Sequence, residues 1–180
     1  MFQSVLNLLN SHELAEYLIS SRFVLIVLVL FLIHLKMMTY SSMFLTALVN
    51  IPGTFLHETA HFTVGLLLNA KPTSFSLFPV KQGDAYVTGS VGFRNLHFYN
   101  ALPSAMAPLL LLPVGYFFDK YFFDREHITV IGYIVYVLLQ TIIIENALPS
   151  SADFKIGFGN LFGVAFYILI FFVVACLCAV

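Results

Sequence analysis

Two histidines and a glutamate interrupt an otherwise apolar stretch, residues 50–70, with the sequence NIPGTFLHETAHFTVGLLLNA. His57, Glu58 and His61 fit the pattern H-E-x-x-H. On a helix, residues four apart lie on the same side about one turn apart, so two imidazoles can bind one tetrahedral Zn²⁺. Glu58 is rotated by about 100° from His57, so it can face the open position of the metal without binding it. There it can take a proton from an attacking water molecule.

The apolar surroundings of this pattern make it informative. An ionisable group without a partner inside an apolar span costs roughly 2.5 to 3.5 kcal/mol. Three such groups within five residues therefore need a compensating partner, and a metal ion is the obvious one. The alternative interpretation is a buried, hydrogen-bonded polar cluster or a proton path.

A catalytic zinc site needs a third protein ligand besides the two histidines. The available carboxylates are Glu145, Asp153 and, less well placed, Asp84. Pro149 ends the helix that carries Glu145, and Asp153 then lies on a returning segment that can point back at the metal. Asp153 is therefore the favoured third ligand. Glu145 stays open, although a helix-end carboxylate that faces water or pairs with Lys155 also explains it.

The composition is that of a membrane protein. The chain has 180 residues, of which 60% are hydrophobic and 9% charged, and its mean hydropathy is +0.94. Soluble domains are nearer half apolar and a quarter charged. The net charge of −1 gives no electrostatic basis for binding nucleic acid.

The apolar runs predict an α-helical polytopic membrane protein with about five transmembrane helices. Alternation of apolar and polar residues within 71–95 predicts a small interfacial β-hairpin after the H-E-x-x-H helix, and an edge strand at 73–79 or 85–93 could pair with an unwound substrate. We expect one integral-membrane domain over 1–180, with an interfacial helical segment at 1–20, a catalytic core at 42–158 and a C-terminal transmembrane helix at 159–180. The predicted spans lie near 22–38, 42–69, 98–118, 128–146 and 160–180.

The combination of HETAH, the N-A-L-P sequence at 146–149 and the following Asp153 resembles the site-2 protease family of intramembrane zinc metalloproteases. That family carries N-x-x-P and then an Asp-Gly whose aspartate is the third zinc ligand. Here Asp153 follows Pro149 by four residues, one fewer than the commonest family spacing, and Phe154 stands in place of the glycine. The resemblance covers about residues 45–160.

The resemblance implies a zinc metalloendopeptidase that hydrolyses peptide bonds in or near transmembrane segments, as in regulated intramembrane proteolysis. It implies one Zn²⁺ per chain, with His57, His61 and Asp153 as ligands and Glu58 as the base. Asn146 matches the motif asparagine and could hydrogen-bond the substrate or the developing oxyanion, or it could cap the end of the helix. The expected partners are a membrane-protein substrate, the lipid bilayer and a regulatory protein, and not nucleic acid.

Two other classes of function remain open. One is a catalytically silent zinc-binding membrane protein that binds helices, against which the retained Glu58 argues. The other is a small metal-binding transporter, for which no inverted repeat is visible. We expect a multi-pass protein of a prokaryotic plasma membrane, and the distribution of Lys and Arg favours an active site toward the cytoplasmic side. If the N-terminus is cytoplasmic, five basic residues lie on the cytoplasmic side, namely Arg22, Lys71, Lys81, Arg94 and Lys155. Three lie on the other side, namely Lys36, Lys120 and Arg125.

Overall fold

The computed structural model describes residues 3, 4, 7, 12–38, 43–78, 80–82, 85–87, 89–123 and 129–179. Helices predominate in this part of the chain, with a small β region after the H-E-x-x-H helix. The elements in chain order are α1 (His12–Ser20), α2 (Arg22–Met38), α3 (Met43–Leu67), β1 (Pro72–Ser76), β2 (Val80–Gln82), β3 (Ala85–Val87), β4 (Ser90–Phe93), α4 (Ala101–Ala105), a 3₁₀ helix (Ala107–Leu110), α5 (Leu111–Phe123), α6 (Val130–Glu145), α7 (Ser151–Phe158) and α8 (Leu161–Cys178).

The prediction of a five-span polytopic fold is wrong. Within the described ranges, α8 is the one helix that is long and apolar enough to cross a membrane. α6 has 16 residues, and at 1.5 Å per residue it extends about 24 Å, short of the roughly 30 Å hydrocarbon core. α2, with 17 residues, is also short. α3 has the length, with 25 residues, but its polar residues make it insufficiently apolar.

The predicted span 98–118 is not a continuous helix. It contains α4, a turn at Met106, the 3₁₀ helix and the start of α5. Pro108 lies within the first turn of the 3₁₀ helix, and it has no backbone N–H to continue the α-helical pattern of hydrogen bonds. α8 is long and apolar enough to cross a membrane, and the multi-pass localisation in a prokaryotic plasma membrane stays a prediction. The comparison of basic residues assumed those spans, so it no longer supports an orientation.

The β region consists of two antiparallel strand pairs, β1 with β4 and β2 with β3. Ser76 pairs with Ser90, and Val80 pairs with Val87, so the second pair continues the chain reversal begun by the first. The predicted strand over 85–93 is interrupted at Gly89, whose φ of +125° is unfavourable for other residues. Asp84 falls outside the described residues.

The chain divides into two compact units, and the first comprises residues 1–50 and 112–145. Its core contains Val29, Tyr133, Tyr136 and Val137, all buried. The ring of Tyr136 stacks on that of Phe122 with 4.3 Å between the centroids. The first unit is thus held by aliphatic and aromatic packing among α2, α5 and α6.

The second unit comprises residues 51–111 and 146–180. In it α7 lies close to α4, because a β-carbon at Gly157 would be 3.2 Å from side-chain atoms of Leu102 and Met106. Asn100 is fully buried and donates to the carbonyl of Leu68, which anchors the start of α4 to the end of α3. These contacts bring α3, α4 and α7 together. The division into two units reflects how the described residues pack. It does not test the single domain expected over 1–180, which stays a prediction.

Candidate metal centre

His57 and His61 lie on one face of α3, as the helical period predicts. Their Nε2 atoms are 3.1 Å apart. His61 is 4% exposed, and His57 is half-buried. The two rings therefore present one nitrogen each to a common point that water scarcely reaches.

Both imidazoles are oriented by backbone carbonyls. Nδ1 of His57 lies 2.9 Å from the carbonyl oxygen of Asn146, and Nδ1 of His61 lies 2.8 Å from that of Ser104. A carbonyl oxygen can only accept, so each Nδ1 carries the proton and donates it. In the neutral rings each Nε2 therefore has a lone pair, and the two lone pairs face the same point.

Asp153 completes the group from α7. Its Oδ1 lies 3.3 Å from Nε2 of His61, and its Oδ2 lies 3.5 Å from Nε2 of His57. The carboxylate is positioned by a capping box, because the Ser150 N–H donates to Oδ2 at 2.7 Å and the Asp153 N–H donates to the Ser150 hydroxyl at 3.2 Å. The start of a helix is also a favourable place for an anionic side chain.

His57, His61 and Asp153 could hold a metal ion, since their ligand atoms all lie within 4.8 Å of one another. Ligands about 2.0 to 2.1 Å from a tetrahedral zinc are about 3.3 to 3.4 Å apart. Here the two Nε2 atoms are 3.1 Å apart, and they lie 3.3 and 3.5 Å from different oxygens of Asp153, while ligand atoms taken one per residue lie within 4.8 Å of one another. Lone pairs on two nitrogens and a carboxylate converge, and neutral imidazoles bring no proton to the point where they meet. The donor set therefore fits a cation.

Hydrogen bonding outweighs burial in the protonation of the ligands. Burial by itself lowers the pKa of His57, but hydrogen bonds to Asp153 and to the Asn146 carbonyl reverse this effect and raise the pKa. Burial raises the pKa of Asp153, but hydrogen bonds that His57 and His61 donate when they are protonated, and the one from Ser150, hold it well below its usual range. Both shifts favour positive charge next to the Asp153 carboxylate.

Glu58 is 6% exposed and lies next to the ligands. Burial raises the pKa of its carboxyl group, against the opposing influence of His57 and His61. The backbone at Gly89 passes directly beside it, because a β-carbon there would lie 2.8 Å from Oε1 of Glu58. The positive φ of Gly89 and this close approach both require glycine at that position.

Comparison of the chain with family models, curated proteins and solved structures found no match. The functional interpretation therefore depends on the residues and their geometry.

The structure separates the two leading candidates for the third ligand. Asp153 joins the histidines, whereas Glu145 forms an ion pair with Lys36 at 2.7 Å. The sequence had suggested Lys155 as the alternative partner of Glu145. Asn146 contacts the site through its backbone carbonyl, and the catalytic role of its side chain stays a prediction.

The sequence reasoning missed three contributors to the site. The carbonyl of Ser104 has no sequence signature, because every residue has a carbonyl group. Ser150 had one, since S-x-x-D is a capping-box pattern that would have predicted a helix start at Ser151, with Asp153 in its first turn. Gly89 was assigned to a continuous strand, although an isolated glycine in a strand pattern often marks a bulge or a close backbone approach.

Proposed function

We propose that this protein is a zinc-dependent metalloendopeptidase of the site-2 protease type, which hydrolyses peptide bonds in or near membrane-spanning segments of other proteins. The observation that carries the proposal is the convergence of His57, His61 and Asp153 at mutual distances of 3.1 to 3.5 Å. The buried Glu58 beside them supports a hydrolytic role. α8, which is apolar and long enough to cross a membrane, supports a membrane location.

The donor set supports zinc as the metal, with one ion per chain. Two imidazoles and one carboxylate are the ligands of a common class of catalytic zinc site, in which the fourth position is left to water or substrate. The same ligands also occur at Fe(II) oxygenase sites. The carboxylate of Glu58 favours zinc, because a base next to the metal serves hydrolysis.

The reaction requires a polarised carbonyl, an activated water molecule and a protonated leaving group. Zinc bound at this group would polarise the peptide carbonyl and lower the pKa of a water molecule. Glu58 would take a proton as the new C–O bond forms, and it would deliver that proton to the amide nitrogen as the C–N bond breaks. The Asn146 and Ser104 carbonyls would hold the two imidazoles in the orientation that the metal needs.

The β1–β4 sheet supports a substrate bound in an extended conformation. A peptide bond in a helix is shielded by helical hydrogen bonds, and an unwound backbone needs new partners where water is scarce. β4 begins directly after Gly89, which lies against Glu58. A substrate strand added to this sheet would therefore lie near the base.

The decisive experiment combines metal analysis with cleavage. The full chain is purified, its zinc content is measured by mass spectrometry, and cleavage of candidate membrane-spanning segments is compared between wild type and Glu58→Gln. We expect both proteins to contain zinc and only the wild type to cleave. Glu145→Gln is the matched control, since it makes the same chemical change outside the ligand group and should leave cleavage intact. Zinc without Glu58-dependent cleavage would indicate a silent zinc-binding protein or a transporter and would contradict the proposal.

Proline substitutions test the mode of substrate binding. The N–H groups of neighbouring strand residues point to opposite edges where the pairing is regular, as it is at Ser74 and Phe75, so Ser74→Pro and Phe75→Pro remove donors from different edges of β1. One of the two variants should cleave more slowly while its zinc content is unchanged. Equal cleavage by both variants and the wild type would exclude strand addition at β1.

A further inference from the structure

Asn146 is held against α3 at two points. Its carbonyl accepts the Nδ1–H of His57 at 2.9 Å. Its side chain occupies the space where residue 53 would otherwise carry a β-carbon, which would lie 2.7 Å from Oδ1 and closer still to Nδ2. Gly53 and His57 are four residues apart on the same face of the helix. Asn146 therefore contacts both His57, a candidate metal ligand, and Gly53, which lies one helical turn earlier.

The space at Gly53 is specific to Asn146. Gly53 itself is buried, and the nearest three atoms to a β-carbon there all belong to the Asn146 side chain. Any side chain at position 53 would clash with the Asn146 side chain, so Asn146 would have to rotate that side chain or shift together with its carbonyl. Displacement of the carbonyl would free the His57 ring to rotate, since the Nδ1–H bond is what sets its orientation.

We infer that Gly53 and Asn146 form a positioning pair for His57, in which the Asn146 side chain is a packing anchor and its carbonyl is the functional group. The inference rests on the proposed metal site. It makes Asn146 a positioning residue, in contrast to the alternative in which its side-chain amide contacts the substrate or the oxyanion. It also explains why glycine, which lowers helix stability, occurs at a buried position inside α3.

The two roles of Asn146 differ in what a substitution changes. Positioning of His57 affects zinc affinity, whereas a substrate-binding amide affects cleavage alone. Gly53→Ala should lower zinc affinity by about 10- to 100-fold, the range seen when outer-shell partners of metal ligands are removed. Asn146→Ala keeps the carbonyl and should lower zinc affinity less than about 10-fold. The double variant should bind zinc as well as Asn146→Ala does, because alanine at 146 removes the three atoms nearest to a β-carbon at 53. A substrate-binding amide cannot be restored in this way.

Three measurements on the purified full chain report the effect. Competition with a chelator gives zinc affinity, and the visible spectrum of the Co²⁺-substituted protein reports ligand geometry. Nitrogen NMR of the metal-free protein reports whether the His57 Nδ1–H remains hydrogen-bonded. Gly65→Ala is the matched control, because it lies on α3 and would press a β-carbon against the Phe93 ring instead of the Asn146 side chain. It should leave zinc affinity and the cobalt spectrum unchanged.

The outcomes distinguish this inference from the proposed function. Recovery of zinc affinity in the double variant supports the positioning pair, and it does so even where Gly53→Ala alone does not fold. A double variant with weaker zinc binding than Asn146→Ala overturns the inference. Loss of cleavage by Asn146→Ala with zinc affinity and cobalt spectrum unchanged also overturns it, and assigns the amide to the substrate while the protease proposal stands. A wild-type chain that binds zinc without cleaving contradicts the proposed function alone.

Discussion

Two clusters of polar side chains in this molecule have opposite chemistry. In the first unit, the Arg22 guanidinium donates to both oxygens of Asp119 at 2.8 and 3.0 Å, and the Tyr136 hydroxyl donates to the same carboxylate. In the second unit, the His57 and His61 Nε2 lone pairs face the Asp153 carboxylate. The first cluster combines donors with an acceptor. The second brings acceptors together.

The difference shows that burial of polar groups does not by itself identify a functional site. Burial, together with the hydrogen bond to Asp119, raises the pKa of Tyr136, although nothing in that cluster suggests chemistry. The informative feature of the second cluster is its unmatched acceptors, because a group of lone pairs is stable only around a proton or a metal ion. The substitutions below test whether this difference determines metal binding.

Removal of a histidine ligand should have the largest effect on metal binding. His61→Ala leaves two ligands and should lower zinc affinity by more than the roughly 100-fold that loss of an outer-shell partner can cause. Asp119→Asn, in the cluster whose donors and acceptors are matched, should leave zinc affinity unchanged. Chelator competition measures both variants. Equal zinc affinity in His61→Ala and the wild type would refute the site.

Substitutions of Asp153 and Glu145, the two candidates for the third ligand, should differ almost as much in their effect on zinc affinity. Asp153→Asn should lower zinc affinity by more than about 10-fold, because an amide is a poorer ligand than a carboxylate. Glu145→Gln should leave it unchanged and instead lower the free energy of unfolding by about 1 to 3 kcal/mol, since the half-buried Lys36 loses its charged partner. Zinc affinity and urea unfolding are measured for both. A reversed pattern would make Glu145 the ligand.

Disruption of the cluster formed by Arg22, Asp119 and Tyr136 should change stability and not metal binding. Asp119→Ala removes the carboxylate that accepts from Arg22 and from the fully buried Tyr136. We expect a loss of about 1 to 3 kcal/mol in the free energy of unfolding, because a buried hydroxyl loses this acceptor. Urea unfolding measures the loss, and zinc content is the control. A loss of zinc in this variant would mean that the two clusters do not act independently.

The smallest effect is expected at the capping box. Ser150→Ala removes the hydroxyl that accepts from the Asp153 N–H, and should cost about 1 kcal/mol of stability. The backbone N–H of residue 150 still holds Oδ2 of Asp153, so zinc affinity should fall by less than about 10-fold. Thermal unfolding measures the loss of stability, and chelator competition measures the fall in zinc affinity. A loss as large as that of Asp153→Asn would show that the hydroxyl itself orients the ligand.

Most helix positions could be predicted from the sequence, but their relation to a membrane could not. The apolar runs at 22–38, 128–146 and 160–180 correspond to α2, α6 and α8. Helix-forming patterns are local, so they are readable from the chain. A span also requires sufficient length without polar interruption, and by that measure one described helix qualifies where five were expected.

The sequence by itself determined that two histidines and a glutamate lie close together on one helix. Residues four apart on a helix share a face whatever surrounds them, so His57, His61 and the adjacent Glu58 follow from the helical period. The tertiary structure decided that Asp153, and not Glu145, lies beside the histidines, and it alone supplied the carbonyl partners of the imidazoles. His57 and the Asn146 carbonyl are 89 residues apart in the chain, and His61 and the Ser104 carbonyl are 43 apart. Contacts over such separations depend on how helices pack, which no local pattern specifies.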